Sequence, residues 1–240
     1  PSSQPPTANP RIVVKKGDVI GTVGPHTFDF QIMDTKNPDK NILKPENIDP
    51  WTSITVDTFD YISDPLKSQL LAKNLRTRPP LGGKVGYDKE GTLLGNWFRV
   101  GRDEHSSPTD KNERNEYWTN NLSIVYDHLD ESQIRISLGN FDGYPKAFGV
   151  GGNAPDPKDI NKNSGLVKYE LYKFDYYKPD GGKWDIISFA SGLTAKNTEE
   201  LAGVVLFEIQ KDGKLKVETF PGKTKDQVNA FTNNAKVYER

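Results

Sequence analysis

The stretch Gly91–Gly101, read GTLLGNWFRVG, decides the fold. A glycine turn opens it, an aliphatic pair follows, then Gly95-Asn96-Trp97-Phe98 and a second glycine. Aromatic residues between glycine turns suit a pleated, half-buried strand. Outward from this stretch, toward Arg240, strand-like runs come in pairs around turns. Val85–Tyr87 and Thr92–Val100 flank Asp88-Lys89-Glu90-Gly91, and Leu122–Tyr126 and Gln133–Leu138 flank a second turn. Leu166–Tyr177 and Trp184–Phe189 flank Lys178–Gly182. Val204–Gln210 and Lys214–Phe220 flank Lys211-Asp212-Gly213, a three-residue hairpin signal. Thr224 and Gln227 have the spacing of a capping box on a short helix through Phe231, and Lys236–Glu239 is predicted as a closing strand. About seven to nine antiparallel strands joined mostly by hairpins predict a barrel or a sandwich over residues 84–240.

Composition agrees with a sheet-built core. Apolar residues make up only 34% of the 240, but 10% are aromatic, and 17 prolines and 21 glycines supply turns. Acids and bases are interspersed, with a net charge of −1, and no basic stripe suggests a nucleic-acid surface. No apolar run approaches the ~18 residues that span a bilayer as a helix, so no transmembrane segment is expected. Without cysteine there is no disulfide, zinc thiolate or thiol nucleophile. The chain opens at Pro1 with no signal peptide, as expected of a mature or trimmed form.

Residues 1–10 are rich in proline and serine and read as a flexible tail or linker. Residues 11–80 read as a small β module: short strands at Ile12–Val14 and Val19–Gly24, alternation at Phe28, Phe30 and Ile32, a short strand at Ser53–Val56, and a helix over Pro65–Leu75. Arg76–Gly83 (RTRPPLGG) is the expected domain boundary.

Within this module, Gly17–Gln31 (GDVIGTVGPHTFDFQ) resembles the last part of the LytM/M23 family of zinc endopeptidases, which cut bacterial cell-wall cross-bridges. The resemblance covers residues 12–34. It implies a barrel-like β module and, in the family, one histidine for zinc and one for catalysis. Here Thr27 and Asp29 stand where those histidines belong when Phe30-Gln31 is aligned on the family's Phe-Glu. His26 and Asp29 are the candidate remnant of a zinc site, and zinc hydrolysis needs about three protein ligands with an open position for water. The expectation is an inactive peptidase homologue, with glycine turns and packed phenylalanines as the plain structural alternative.

Three further groups are candidates. Asp159, Asn161, Asn163 and Glu170 occupy the first, third, fifth and twelfth positions of a segment that resembles the EF-hand calcium loop, although Gly165 sits one place late and a strand follows. Calcium is therefore the one cofactor proposed. The long polar segment Arg102–Asn120 places His105, Tyr117 and Trp118 as candidate ligand contacts, with a solvated loop as the alternative. Gly95-Asn96-Trp97 resembles the Gly-x-Trp signature of lipocalins, in which the tryptophan closes one barrel end against a basic residue near the last strand. That resemblance makes Trp97 a candidate ligand-binding residue, assigns Arg240 or Lys236 as its basic partner, and implies a lined cavity for a small molecule.

The function expected from these features is a secreted or cell-envelope binding module, non-enzymatic, for a cell-wall, peptide or protein ligand. A lipocalin-like carrier and a self-assembling subunit pairing through edge strands are the alternatives.

Overall fold

The computed structural model describes residues 13–22, 30–102 and 118–240. Contacts divide the chain into two units, Pro1–Gln31 and Ile32–Arg240.

In the first unit Lys15–Asp18 is a turn: the Asp18 carboxylate accepts the Lys15 N–H at 2.7 Å. None of its described residues belongs to a strand, and Val13, Val19 and Ile20 are 92%, 87% and 79% exposed. Runs this short bury nothing without partner strands, and the described residues bring them none.

In the second unit eight antiparallel strands form a closed barrel in chain order. They are β1 (Gly95–Arg99), β2 (Asn121–Tyr126), β3 (Ile134–Phe141), β4 (Tyr144–Val150), β5 (Val167–Tyr177), β6 (Thr194–Ile209), β7 (Leu215–Pro221) and β8 (Lys236–Glu239). β8 returns to β1 through the pairs Phe98–Glu239 and Arg99–Tyr238, so the ring has no terminal strand. The edge strands expected for self-association are absent from it for that reason.

Side-chain alternation sorts the strands into an inner and an outer face. Trp97 pairs with Leu122 and Leu122 with Leu138, and all three are buried in one cluster with Ile124, Ile136, Phe148, Tyr169, Leu171, Val205, Phe207 and Leu215. Most of these side chains have no surface that water can reach, even from within, so the barrel's middle is filled. β6 reads as the unbroken run Val204-Val205-Leu206-Phe207 because both of its faces are covered. Val205 and Phe207 join the interior, whereas Val204 and Leu206 pack outside with Val228. The outer cover is tied down where the buried Glu218 carboxylate accepts the Thr232 N–H at 2.6 Å. The predicted capping box of Thr224 and Gln227 is present, but it opens a single 3-10 turn, Lys225–Gln227.

Residues 32–94 belong to the barrel unit as turns and one short helix, α1 (Leu66–Leu71). The expected strand at Ser53–Val56 is a 3-10 turn, Thr52–Ile54, with one bridge from Thr55 to Met33. Arg76–Gly83 is no linker. The Arg76 guanidinium is 4% exposed and bonds the carbonyl of His128 at 2.6 Å, the carbonyl of Pro80 at 2.7 Å and the carboxylate of Glu131, which pins this segment to the β2–β3 turn. The buried guanidinium finds acceptors for its donors within this clamp.

Candidate functional site

Two constellations stand out around the barrel. The first closes one end. Trp97 is 2% exposed, its indole N–H bonds the Leu93 carbonyl at 3.0 Å, and the Arg240 guanidinium lies 4.1 Å over its ring. Arg240 rather than Lys236 is thus the basic partner of Trp97. Arg240 also donates to the carbonyls of Lys89 at 2.7 Å, Thr92 and Leu94, and stands 4.0 Å from Asp88. Burial lowers Arg240 to about 10, opposed by Asp88, and burial raises Asp88 against the amides of Asn96 and Leu43. Both members of the pair are pushed toward neutrality, so their closeness is maintained by the backbone bonds around them. Gly95 is required here: with φ at 127°, a Cβ would lie 2.3 Å from Asp88 Oδ1 and 2.5 Å from Arg240 Nη1.

The second constellation is a groove of about 340 Å³ outside the barrel. β4 touches β5 only at Gly149–Tyr172 and Val150–Leu171, and beyond that point β5 runs on with β6 as a separate hairpin. Phe174 and Tyr176 of that hairpin form one wall, and Tyr87 and Tyr126 form the other. Asn96 and Ser123 lie on the floor, joined by a 2.6 Å hydrogen bond. Arg135 points outward from β3 yet is only 6% exposed, because its guanidinium lies 3.8 Å under the Phe174 ring. Its Nε donates to Asp127 at 2.7 Å and its Nη1 to the Ile134 carbonyl at 3.0 Å, while Nη2 and the Oδ1 of Asn197 are buried without a hydrogen-bond partner.

The groove's walls are held by carboxylates. The hydroxyl of Tyr176 donates to Asp127 at 2.6 Å, that of Tyr126 to Asp156 at 2.6 Å, and that of Tyr87 to Glu131 at 3.2 Å. Burial, with help from these acids, raises Tyr87 to about 12 and raises Tyr126 and Tyr176 as well. Burial pushes Asp127 up, but the Tyr176 hydroxyl, the Asp130 and Leu129 amides and Arg135 outweigh it and hold the acid below its ordinary range. These tyrosines stay neutral, and Asp127 and Asp156 stay charged. The arrangement offers rigid ring surfaces, with its carboxylates already taken as acceptors.

The residues singled out in the sequence are scattered. His26, Asp29, His105 and Tyr117 lie outside the described residues. Trp118 is in a turn and 45% exposed, and the Trp97 ring is covered by Arg240. In the calcium-like segment, Asp159 pairs with Lys158 at 3.2 Å and the side-chain Oδ1 of Asn161 accepts the Asn163 N–H at 2.9 Å. Glu170 stands on β5, where its carboxylate accepts the Lys225 N–H at 3.0 Å. Glu170 and Asp159 are thus each engaged by a different partner, the Lys225 amide and the Lys158 ammonium. Among the described residues no group of three or more His, Cys, Asp or Glu is placed to hold a metal. No helix is long and apolar enough to cross a membrane among them.

Sequence reasoning missed Tyr87, Tyr126, Arg135, Phe174 and Tyr176 as a group. Arg135 in QIRISL reads as the solvent face of an alternating strand, and only the β5–β6 hairpin lying across it buries it. No protein-family model, curated protein or solved structure matches the chain.

Proposed function

We propose that the chain is a non-enzymatic binding module of the cell envelope or exterior, and that the aromatic groove seats a cell-wall glycan. The observation that carries this reading is the pair of preformed aromatic walls, Tyr87 with Tyr126 and Phe174 with Tyr176, around a floor bearing Asn96 and Ser123. A sugar ring has apolar faces that stack on such walls and hydroxyls that meet such a floor. The groove's volume is within the range of ligand sites. The engaged carboxylates favour holding a ligand over acid–base chemistry. The envelope location rests on the resemblance of Gly17–Gln31 to the LytM/M23 family.

A carrier reading draws on the Trp97–Arg240 stack, but the filled interior leaves a lipid-sized molecule no room. The space this reading has is an open pocket of about 760 Å³ at the closed end, lined by Trp97, Ile209 and Arg240.

Calorimetric titration with soluble cell-wall glycan fragments tests the proposal. Binding is expected to weaken at least tenfold in Phe174→Ala, because stacking on the wall is lost. Binding that Phe174→Ala leaves unchanged places the ligand elsewhere. Saturable binding of peptides but not glycans replaces the ligand class.

A further inference from the structure

The open pocket at the closed end of the barrel, about 760 Å³, is of ligand size and shares no lining residue with the aromatic groove. Four separate segments bring side chains to it beside Arg240: residues 43–44, 90–91, 161–163 and the β6–β7 turn 211–213. Each is fixed by hydrogen bonds of its own. The Leu43 N–H donates to Asp88 at 2.8 Å, and the Asn161 N–H to the Ser164 hydroxyl at 3.0 Å. The Thr92 N–H donates to the Lys89 carbonyl at 3.1 Å, and the Lys214 N–H to Asp212 at 3.1 Å. A bridge from Thr92 to Asn161 ties the second segment to the third. The pocket is therefore preformed, and a ligand meets little ordering cost there.

Its lining is basic. Lys44, Lys162, Lys211 and Arg240 stand against two acids, Glu90 and Asp212. Asp212 has Lys214 at 4.0 Å, and Lys44 has Glu46 at 3.5 Å. Lys162 and Lys211 have no carboxylate partner among the described residues. Arg240 is the buried member, with its side chain 5% exposed. Its hydrogen bonds go to the carbonyls of Lys89, Thr92 and Leu94, all neutral acceptors, which take three of a guanidinium's five N–H donors. Asp88 stands 4.0 Å from Nη1, beyond hydrogen-bond reach, and its oxygens are taken by the Asn96 and Leu43 amides at 2.6 and 2.8 Å. A buried cation held by carbonyl dipoles lacks a bonded counter-charge, and an oxyanion in the pocket supplies one. The segment that resembles a calcium loop brings Lys162 and Asn163 to this pocket, and a lysine there repels a cation and attracts an anion.

We propose that this pocket binds a small polyanion bearing phosphate or carboxylate groups, held by Arg240, Lys162 and Lys211. The site is independent of the glycan groove.

Calorimetric titration of the purified chain with pyrophosphate and, separately, with citrate tests this, with ionic strength fixed by sodium chloride. At least one of the two is expected to bind at a single site, and the tighter one assigns the group as phosphate or carboxylate. Lys162→Gln with Lys211→Gln is expected to weaken that binding about tenfold, from the loss of two nearby charges. Glu90→Gln removes a competing acid and is expected to tighten it about threefold. All three positions are exposed, so folding stays intact, which an unchanged melting temperature verifies. Lys146→Gln with Lys223→Gln removes the same charge at exposed positions outside the pocket and is expected to leave binding unchanged. Failure of the wild-type chain to bind either anion overturns the proposal. So does an equal loss in the two lysine pairs, which assigns the binding to net charge.

Discussion

Asp127→Ala is the substitution whose cost follows most directly from the structure. The Asp127 side chain is 1% exposed and accepts four bonds: from Tyr176 at 2.6 Å, Arg135 at 2.7 Å, and Leu129 and Asp130 at 2.8 Å each. Removing it leaves a buried guanidinium without its counter-charge and two amides and a hydroxyl without their acceptor. Breaking a buried pair from one side costs about 3–5 kcal/mol, a large part of the ~5–15 kcal/mol that stabilises a typical protein. For a unit of this size the melting temperature is expected to fall by roughly 10 °C or more.

The companion variant, Asp127→Asn with Arg135→Met, removes both charges while filling the space, and is expected to recover at least half of the loss. The assay is urea unfolding followed by circular dichroism, with the midpoint and slope compared at neutral pH. pH provides a second axis. The folded state holds Asp127 below its ordinary value, so its contribution is present above about pH 4 and is lost as pH falls through the lowered folded pKa. The double variant is expected to lose less stability than wild type over that acidic window. A loss below about 1 kcal/mol in Asp127→Ala, or a double variant no more stable than the single, refutes the argument that this pair holds the groove.

Two more expectations concern the barrel's closed end and the buried tyrosines. Gly95→Ala places a methyl 2.3 Å from Asp88 and 2.5 Å from Arg240 at a φ of 127°, so denaturant unfolding is expected to show a loss of at least about 2 kcal/mol. Tyr87 is neutral in the folded state until about pH 12. Its stabilisation is therefore complete below the unfolded value near pH 10 and is lost as pH rises through about 12, to the extent of about 3 kcal/mol. Tyrosinate absorbance is expected to appear in two phases, the later one coinciding with loss of the circular dichroism signal. A single phase with the fold intact would show that these hydroxyls are open to solvent.

Periodicity made most of the barrel legible. Lys236–Glu239 is the closing strand as read, and the hairpin at Lys211-Asp212-Gly213 joins β6 to β7. Both features depend on local alternation and turn chemistry, which a sequence carries directly. Two strands were not legible. Tyr144–Val150 contains a proline and two small residues, and Thr194–Glu200 is polar, so neither announces a buried face. Each is a strand because its neighbours supply the hydrogen bonds. Conversely, Trp184–Phe189 has strand-like residues but becomes a projecting loop, since the partner of β5 begins later, at Thr194.

The site divides in the same way. The sequence by itself carries Gly95-Asn96-Trp97, and its resemblance to the lipocalin signature implied Arg240 or Lys236 as the basic partner. Tertiary structure decided that the partner is Arg240 and that Gly95 leaves room for it. The aromatic groove was decided by tertiary structure alone. Tyr87, Tyr126, Arg135 and Phe174 are far apart in the chain and obey no common spacing. They converge because β4 and β5 part after two residue pairs and the β5–β6 hairpin folds over the outside of β3. Local pattern records which face a side chain takes on its own strand. What covers that face from outside depends on long-range packing, which no short stretch encodes.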